Sequence, residues 1–296
     1  MRMITAVFSY NRGELLRNCL ASIRLFLPES EIVVFDDASD DPDTLEVLAR
    51  AREAGAQIVA TPPGEKQHHG NLYSNMNLAI EVAAARGCEF AHFVQDDMQL
   101  LWRRPDLLAH ASAVFGAHPK ATQLQLHFAK RLGKSRVTLL PRERVYQVST
   151  RPGDLGLFHV PRMRASGIEF GPDERSWGRR AQDRGLEAFA TADPIAAMVP
   201  WPRSARFGRM RGAPIQSACE LLLEPLSEDS IRAFTSRDPA RRPWGEDWIV
   251  PNGWRCWRPF PHDPSRLEWA YLVVRAAASQ RSFAGLWPSR VGRLPA

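Results

Sequence analysis

Lysine, cysteine and long apolar runs are all scarce in this chain. Only four lysines, Lys66, Lys120, Lys130 and Lys134, stand among 39 basic residues, so arginine carries nearly all of the net charge of +6. The four cysteines, Cys19, Cys88, Cys219 and Cys256, are widely separated and form no C-x-x-C pair. That spacing excludes a dense disulfide scaffold and a zinc ribbon. Cys19 and Cys88 fall at helical or helix-end positions suited to reduced packing thiols. No stretch of about 18 apolar residues occurs, and no charged-then-apolar leader precedes the first strand. These absences lead us to expect a cytoplasmic protein with at most peripheral contact with the inner face of a membrane. The histidines, among them His68, His69, His127, His159 and His262, show no H-x-x-x-H metal spacing.

What is present is ordinary in bulk and unusual in pattern. A chain of 296 residues, 44% hydrophobic and 24% charged, can bury a sizeable core and belongs to neither the disordered nor the fibrous class. Arginine's planar fork suits phosphate and carboxylate groups, although any single arginine is as well explained by a solvated surface. The first hundred residues alternate strand and helix. Strands are expected at 3–8, 31–35, 56–60 and 90–94, with helices at 15–27, 43–54 and 70–86 between them. Strands separated by helices imply right-handed crossovers and a mostly parallel sheet. Beyond residue 97 the pattern becomes mixed. A helix is expected over 104–118, short strands over 122–128, 137–140, 145–149 and 155–160, and a helix over 175–184 closed by Gly185. From Pro200 onward proline, arginine and tryptophan dominate and periodicity weakens. We therefore expect a domain over 1–200 and a loop-rich extension over 201–296 packed on it.

Carboxylates end successive apolar strands. Asp36 and Asp37 follow the run Ile32-Val33-Val34-Phe35, and Asp96 and Asp97 follow Phe93-Val94-Gln95. Charges are not left unpaired inside a sheet, and open α/β sheets bind ligands at the carboxyl ends of their strands. Ser39, Asp40 and Asp41 have turn and N-cap chemistry, which leaves one acid of the first pair free for a ligand. A hard divalent cation such as Mg²⁺ or Mn²⁺ is often held by one or two carboxylates plus substrate phosphates, which suits the second pair. A third acidic pair, Asp173-Glu174, opens the 175–184 helix. It reads equally as a cap favourable to the helix dipole and as a general base.

In this order the elements resemble the family 2 inverting glycosyltransferases of the GT-A fold. The turn Ser9-Tyr10-Asn11-Arg12, the Asp36-Asp37-Ala38-Ser39 strand end, the helix from Gly70-Asn71 through Asn77-Leu78-Ala79-Ile80, Gln95-Asp96-Asp97, and Asp173-Glu174 with Arg180 and Gly185 carry the resemblance over roughly residues 1–200. It implies an α/β fold with a Rossmann-like, mostly parallel central sheet flanked by helices. It implies that Ser9, Tyr10, Asn11, Arg12, Asp36, Asp37, Gly70, Asn71 and Asp96 bind a nucleoside-diphosphate sugar, with Asp37 on the base. Asp97, with Asp96, would hold Mn²⁺ or Mg²⁺, and Glu174 or Asp173 would be the catalytic base of an inverting hexosyl transfer. UDP is the nucleotide expected from family frequency. Gln95 stands where the family often has a first aspartate. The Gln-x-x-Arg-Trp signature of processive synthases is missing, so transfer of a single sugar is expected.

The acceptor implied is a carbohydrate, a glycolipid or a small molecule, and no nucleic-acid partner is expected. Arg203, Arg206, Arg209 and Arg211 lie near Gly208 and Gly212 in a segment that reads as a solvated linker or as a loop closing over the diphosphate. Trp244, Trp248, Trp254 and Trp257 read mainly as packing, with one or two lining an acceptor cleft. The segment 267–278 reads as a terminal helix docked on the core, with a face able to touch an anionic membrane. Two other functions fit less well. A sugar-phosphate nucleotidyltransferase needs a basic, glycine-rich phosphate loop that residues 9–13 do not provide. A non-catalytic binder of anionic surfaces would not place acids at its main cleft.

Overall fold

The computed structural model describes residues 1–61, 70–128, 137–148, 153–199, 222–241 and 248–249. A nine-stranded sheet runs through the described residues in the order β3-β2-β1-β4-β9-β6-β10-β8-β7. The strands are β1 (Met3–Ser9), β2 (Glu31–Asp36), β3 (Gln57–Ala60), β4 (Phe90–Gln95), β6 (Ala121–Gln125), β7 (Val137–Leu140), β8 (Val145–Val148), β9 (Gly156–His159) and β10 (Glu187–Thr191). Two short strands, β5 (Met98–Leu100) and β11 (Ala196–Met198), pair antiparallel beside it. The register pairs make β1, β2, β3 and β4 mutually parallel, and β6, β10 and β7 run the same way. Only β9 and β8 among these nine are reversed. This is the mostly parallel, Rossmann-like α/β architecture expected from the sequence.

Strand β1 explains why the sheet is central. All seven of its residues are buried, as expected of a parallel strand covered on both faces. Its side chains alternate between two cores. Met3 and Val7 join one core with Val34, Val94 and helices α1 (Gly13–Phe26), α2 (Pro42–Glu53) and α4 (Leu107–Ala117). Ile4, Ala6 and Phe8 join the other with Val33, Phe35, Phe93 and helices α3 (Leu72–Ala85), α5 (Val160–Ser166) and α6 (Glu174–Asp183). Leu16, Cys19, Leu20 and Ile23 form the buried stripe of α1, so the 3.6-residue period seen in the sequence is the period of packing. Cys19 and Cys88 are buried free thiols, in keeping with their packing assignment.

Several boundaries differ from expectation for identifiable reasons. Strand β6 ends at Gln125, and His127 and Phe128 instead meet Ala196 across a single bridge. The strand expected to reach Val160 stops at His159, whose side chain caps a short helix with Pro161 in its first turn. Residues 228–236, expected to be loop-rich, form helix α7 (Glu228–Ser236), capped by Ser227. Phe234 of α7, with Leu223 and Ile249, belongs to the first core. Trp248 packs against Phe234 with ring centroids 5.0 Å apart, as its packing assignment requires. Arg203, Arg206, Arg209, Arg211, Trp244, Trp254, Trp257, His262 and the 267–278 segment lie outside the described residues.

Candidate active site

The register brings the first two acidic pairs side by side. Ser9 at the end of β1 is level with Asp36 at the end of β2, and Phe8 is level with Gln95 at the end of β4. The loops leaving these strands therefore emerge at one edge of the sheet, β1 in the middle.

Within the β1 and β2 loops the polar residues first hold each other. Asn11 adopts a left-handed conformation (φ 50°), which an asparagine tolerates better than most residues. Its side-chain oxygen accepts from the Asp40 and Asp41 amides at 2.9 and 3.1 Å, its amide nitrogen donates to Asp40 Oδ1 at 2.6 Å, and its own N–H donates to Ser39 Oγ. Asn11 thus staples one loop to the next. Asp36 is buried and accepts from the Ser39 N–H and hydroxyl at 2.9 and 2.6 Å, which makes it the loop-forming member of its pair. Asp41 caps α2 through Thr44, and Pro42 follows at the first helical position. Ala38 between them is left-handed (φ 53°), a conformation costing roughly 1–3 kcal/mol that persists where the surroundings over-determine it.

Asp37 points the other way, to the start of α3. Its Oδ1 accepts from the Asn71 side chain at 2.6 Å and its Oδ2 from the Asn71 backbone at 3.1 Å. Gly70 makes this possible. It has φ 60°, and a Cβ there would stand 2.2 Å from Asp37 Oδ2. The sequence placed Gly70, Asn71 and Asp37 in one pocket, and the structure joins them directly.

The second pair is drier and more strongly charged. Asp96 and Asp97 side chains are 5% and 1% exposed, and Arg12 Nη1 lies 3.1 Å from Asp96 Oδ1 and 3.2 Å from Asp97 Oδ2. Asp96 Oδ2 accepts from the Tyr10 N–H at 3.2 Å. Burial pushes the Asp96 carboxyl well above the usual carboxylate range; Arg12 opposes this shift and the Asp97 charge adds to it. Burial, then the charges of the two acids, likewise pushes the Cys19 thiol up. The Ser9 hydroxyl is buried and has no hydrogen-bond partner among the described residues, and Tyr10 is 40% exposed beside it.

The third pair lies across α3 from Asp37. Asp173 caps α6 by accepting from the Ser176 N–H and hydroxyl at 2.9 and 2.6 Å. Glu174 follows in the first turn with an exposed side chain. A Cβ on Gly153 would stand 3.4 Å from Glu174 Oε1 and 3.5 Å from Gln125 Nε2, so a carboxylate and a carboxamide converge over this glycine. Tyr73, in the first turn of α3, has its hydroxyl close to the Glu174 backbone; burial, then the charges of Asp154 and Glu174, push its hydroxyl pKa up. Tyr73, Gln125 and Asp154 were not singled out from the sequence. Gln125 at the end of β6 shares the strand-end position that identified Asp36 and Asp96.

A divalent cation was implied for Asp96 and Asp97. Their hard oxygen donors suit Mg²⁺ or Mn²⁺, and the buried Ser9 hydroxyl nearby is a further oxygen without a partner among the described residues. Among the described residues no group of three or more His, Cys, Asp or Glu could hold a metal alone. The pair therefore fits an ion that draws its remaining ligands from a substrate's phosphates.

No protein-family model matches the chain, and no curated protein matches it. Solved structures do. The chain is similar to the mannosyltransferase PcManGT from Pyrobaculum calidifontis in complex with GDP-Man and Mn²⁺, at 18% identity and a TM-score of 0.47, covering 97% of this chain and 76% of that one. It is similar to S. aureus TarS 1–349 in complex with UDP, at 17% identity and a TM-score of 0.47, covering 67% and 60%. A mannose-1-phosphate geranyltransferase from Thermus thermophilus follows at 15% identity and a TM-score of 0.40, covering 66% and 75%. The chain spans about 60% of the TarS fragment it matches. Among the described residues no helix is long and apolar enough to cross a membrane.

Proposed function

We propose that this protein is an inverting glycosyltransferase that moves one sugar from a nucleoside-diphosphate sugar to an acceptor hydroxyl. One observation carries the reading: acid pairs end strands β2 and β4, which flank β1, and the first turn of α3, which meets Asp37 through Asn71, brings Tyr73 close to the third pair at Glu174.

In this reading the loops after β1 and β2 receive the nucleotide, with exposed Tyr10 beside it and the Asp37–Asn71 clasp shaping the pocket. Asp97, with Asp96, would hold Mn²⁺ or Mg²⁺. When bound, that ion neutralises negative charge on the departing diphosphate. Arg12 supplies a second cation at the same edge. Glu174 is favoured over Asp173 as the base, because both Asp173 oxygens are engaged by Ser176 while the Glu174 carboxylate is exposed beside Gln125. The acceptor hydroxyl gives its proton to Glu174 as its oxygen bonds to the anomeric carbon. The bond from that carbon to the phosphate oxygen breaks on the opposite face, and the diphosphate leaves with the electron pair. Configuration inverts in a single displacement.

We expect one sugar transfer per binding event, and titration with nucleoside diphosphates identifies the donor. We expect UDP or GDP, with Mn²⁺ or Mg²⁺, to raise the melting temperature of the wild type. Glu174→Gln is expected to keep that stabilisation and to lose transfer by about 10²–10⁴-fold, the usual range for a general base. Failure of every nucleoside diphosphate to stabilise the protein would overturn the reading. Full turnover by Glu174→Gln would remove Glu174 from the reaction.

A further inference from the structure

Arg12 is placed to decide how the Asp96–Asp97 pair is occupied. A single nitrogen, Nη1, spans both carboxylates at 3.1 and 3.2 Å. An Mg²⁺-sized ion sits about 2.0–2.1 Å from each oxygen ligand, so an ion and this nitrogen cannot share the space between Asp96 Oδ1 and Asp97 Oδ2. The two carboxylates are nearly dry and fixed at a strand end, whereas the arginine side chain is 31% exposed. Its backbone precedes α1 without a side-chain capping bond. The cation is therefore the member of the cluster that can leave.

We propose that Arg12 is the resident cation of the Asp96–Asp97 pair, and that a divalent ion enters by exchanging with its guanidinium, which turns to the donor's diphosphate. The proposal rests on the nucleotide-sugar reading above. Two buried carboxylates left without a cation would be strongly unfavourable, which accounts for the arginine placed against them. The ion must displace a bound charge and, among the described residues, finds no third acidic, histidine or cysteine ligand. Alone it competes poorly. A diphosphate changes the balance, because it supplies oxygens to the ion and a new anionic partner to Arg12. Metal and nucleotide binding are then mutually dependent, and Arg12 is the source of that dependence.

The test measures Mn²⁺ binding to the full chain by electron paramagnetic resonance of the free ion, in wild type, Arg12→Gln and Arg12→Lys, with and without saturating UDP or GDP. Without nucleotide, Arg12→Gln is expected to bind Mn²⁺ about tenfold or more tightly than wild type, because one positive charge a few ångströms away has gone. Arg12→Lys is expected to stay near wild type. Adding nucleotide is expected to raise wild-type Mn²⁺ affinity by a larger factor than that of Arg12→Gln. Arg12→Gln binding no tighter than wild type without nucleotide, including no binding by either, would overturn the proposal. If Arg12→Gln does not fold, nitrogen NMR of the wild type decides. The Arg12 Nε resonance, identified by its loss in Arg12→Lys, must move when Mg²⁺ and UDP or GDP are added together, and an unmoved resonance overturns the proposal. The nucleotide-free arm distinguishes the two failures. Tighter Mn²⁺ binding by Arg12→Gln beside a wild type that no nucleotide stabilises would sink the nucleotide-sugar reading and leave the competition intact.

Discussion

Two arginine–aspartate clusters lie at the same end of the sheet and are built in opposite proportions. Among the described residues, one arginine at the β1–β4 edge serves two acids, Asp96 and Asp97, with a single nitrogen, and beyond the end of β10 two arginines serve one acid. Arg144 grips Asp193 with two parallel bonds of 2.8 Å, and Arg237 adds a third at 3.1 Å. Arg144 also donates to the Thr235 carbonyl, so this cluster ties α7 to the sheet. Burial alone would raise the Asp193 carboxyl, but Arg144 and Arg237 hold it below the usual range. The Asp96 carboxyl is pushed the other way. An acid surplus kept dry beside a displaceable cation suits a site; a basic surplus wrapped around one acid suits a clamp.

That contrast can be broken by matched substitutions. Asp97→Asn is expected to lose at least about 10²-fold in metal-stimulated transfer, the scale of removing one electrostatic stabiliser of departing charge. Its unfolding free energy is expected to stay within about 1 kcal/mol of wild type, because Arg12 keeps Asp96 as a partner. Steady-state kinetics and chemical denaturation read the two effects. Asp193→Asn is the mirror case. It leaves Arg237 buried without its acid and is expected to cost about 3–5 kcal/mol of stability, with transfer per folded molecule unchanged. Comparable stability losses in both variants would erase the distinction between site and clamp.

A smaller effect sharpens the comparison through pH. Burial, with a contribution from His127, lowers the pKa of His92 on β4 to about 4. Unfolding returns it to about 6.5, so between these values the unfolded chain binds the extra proton. Stability is therefore complete above about pH 6.5 and falls as the pH drops toward 4, by about 3 kcal/mol for His92 alone. Denaturation midpoints of wild type and His92→Gln across this range test it. The variant should lose part of the slope, and an unchanged slope would remove His92 as its cause.

The sequence made the β1–β4 edge legible because there each function has its own residue pattern. Strands announce themselves as apolar runs, and carboxylates immediately after them have no structural use inside a sheet. Capping was legible too, in Asp41-Pro42 and Asp173. What escaped was tertiary in origin. Val160-Pro161 reads as the end of a strand until His159 turns to cap a helix. Helix α7 is only nine residues long, and its partner Arg144 is 91 residues away from Thr235 in the chain. The resemblance assigned Arg12 to the nucleotide pocket, but nothing in the sequence showed it as the counter-ion of Asp96 and Asp97, because charge compensation across 84 residues depends on register. Tyr73 was hidden for the same reason. Nothing local distinguishes an aromatic residue that only packs in a helix from one whose hydroxyl lies close to the Glu174 backbone.

The first turn of α3 spans only a few residues, yet Asn71 at its mouth holds Asp37 and Tyr73 just inside stands close to the Glu174 backbone. It is a ruler between the proposed nucleotide pocket and the proposed base. A helix advances about 1.5 Å and turns about 100° per residue, so inserting one residue between Asn71 and Tyr73 would swing the hydroxyl away from α6. Pocket and base could each remain intact while their separation became wrong, and the length of this turn would then set which acceptors can be reached.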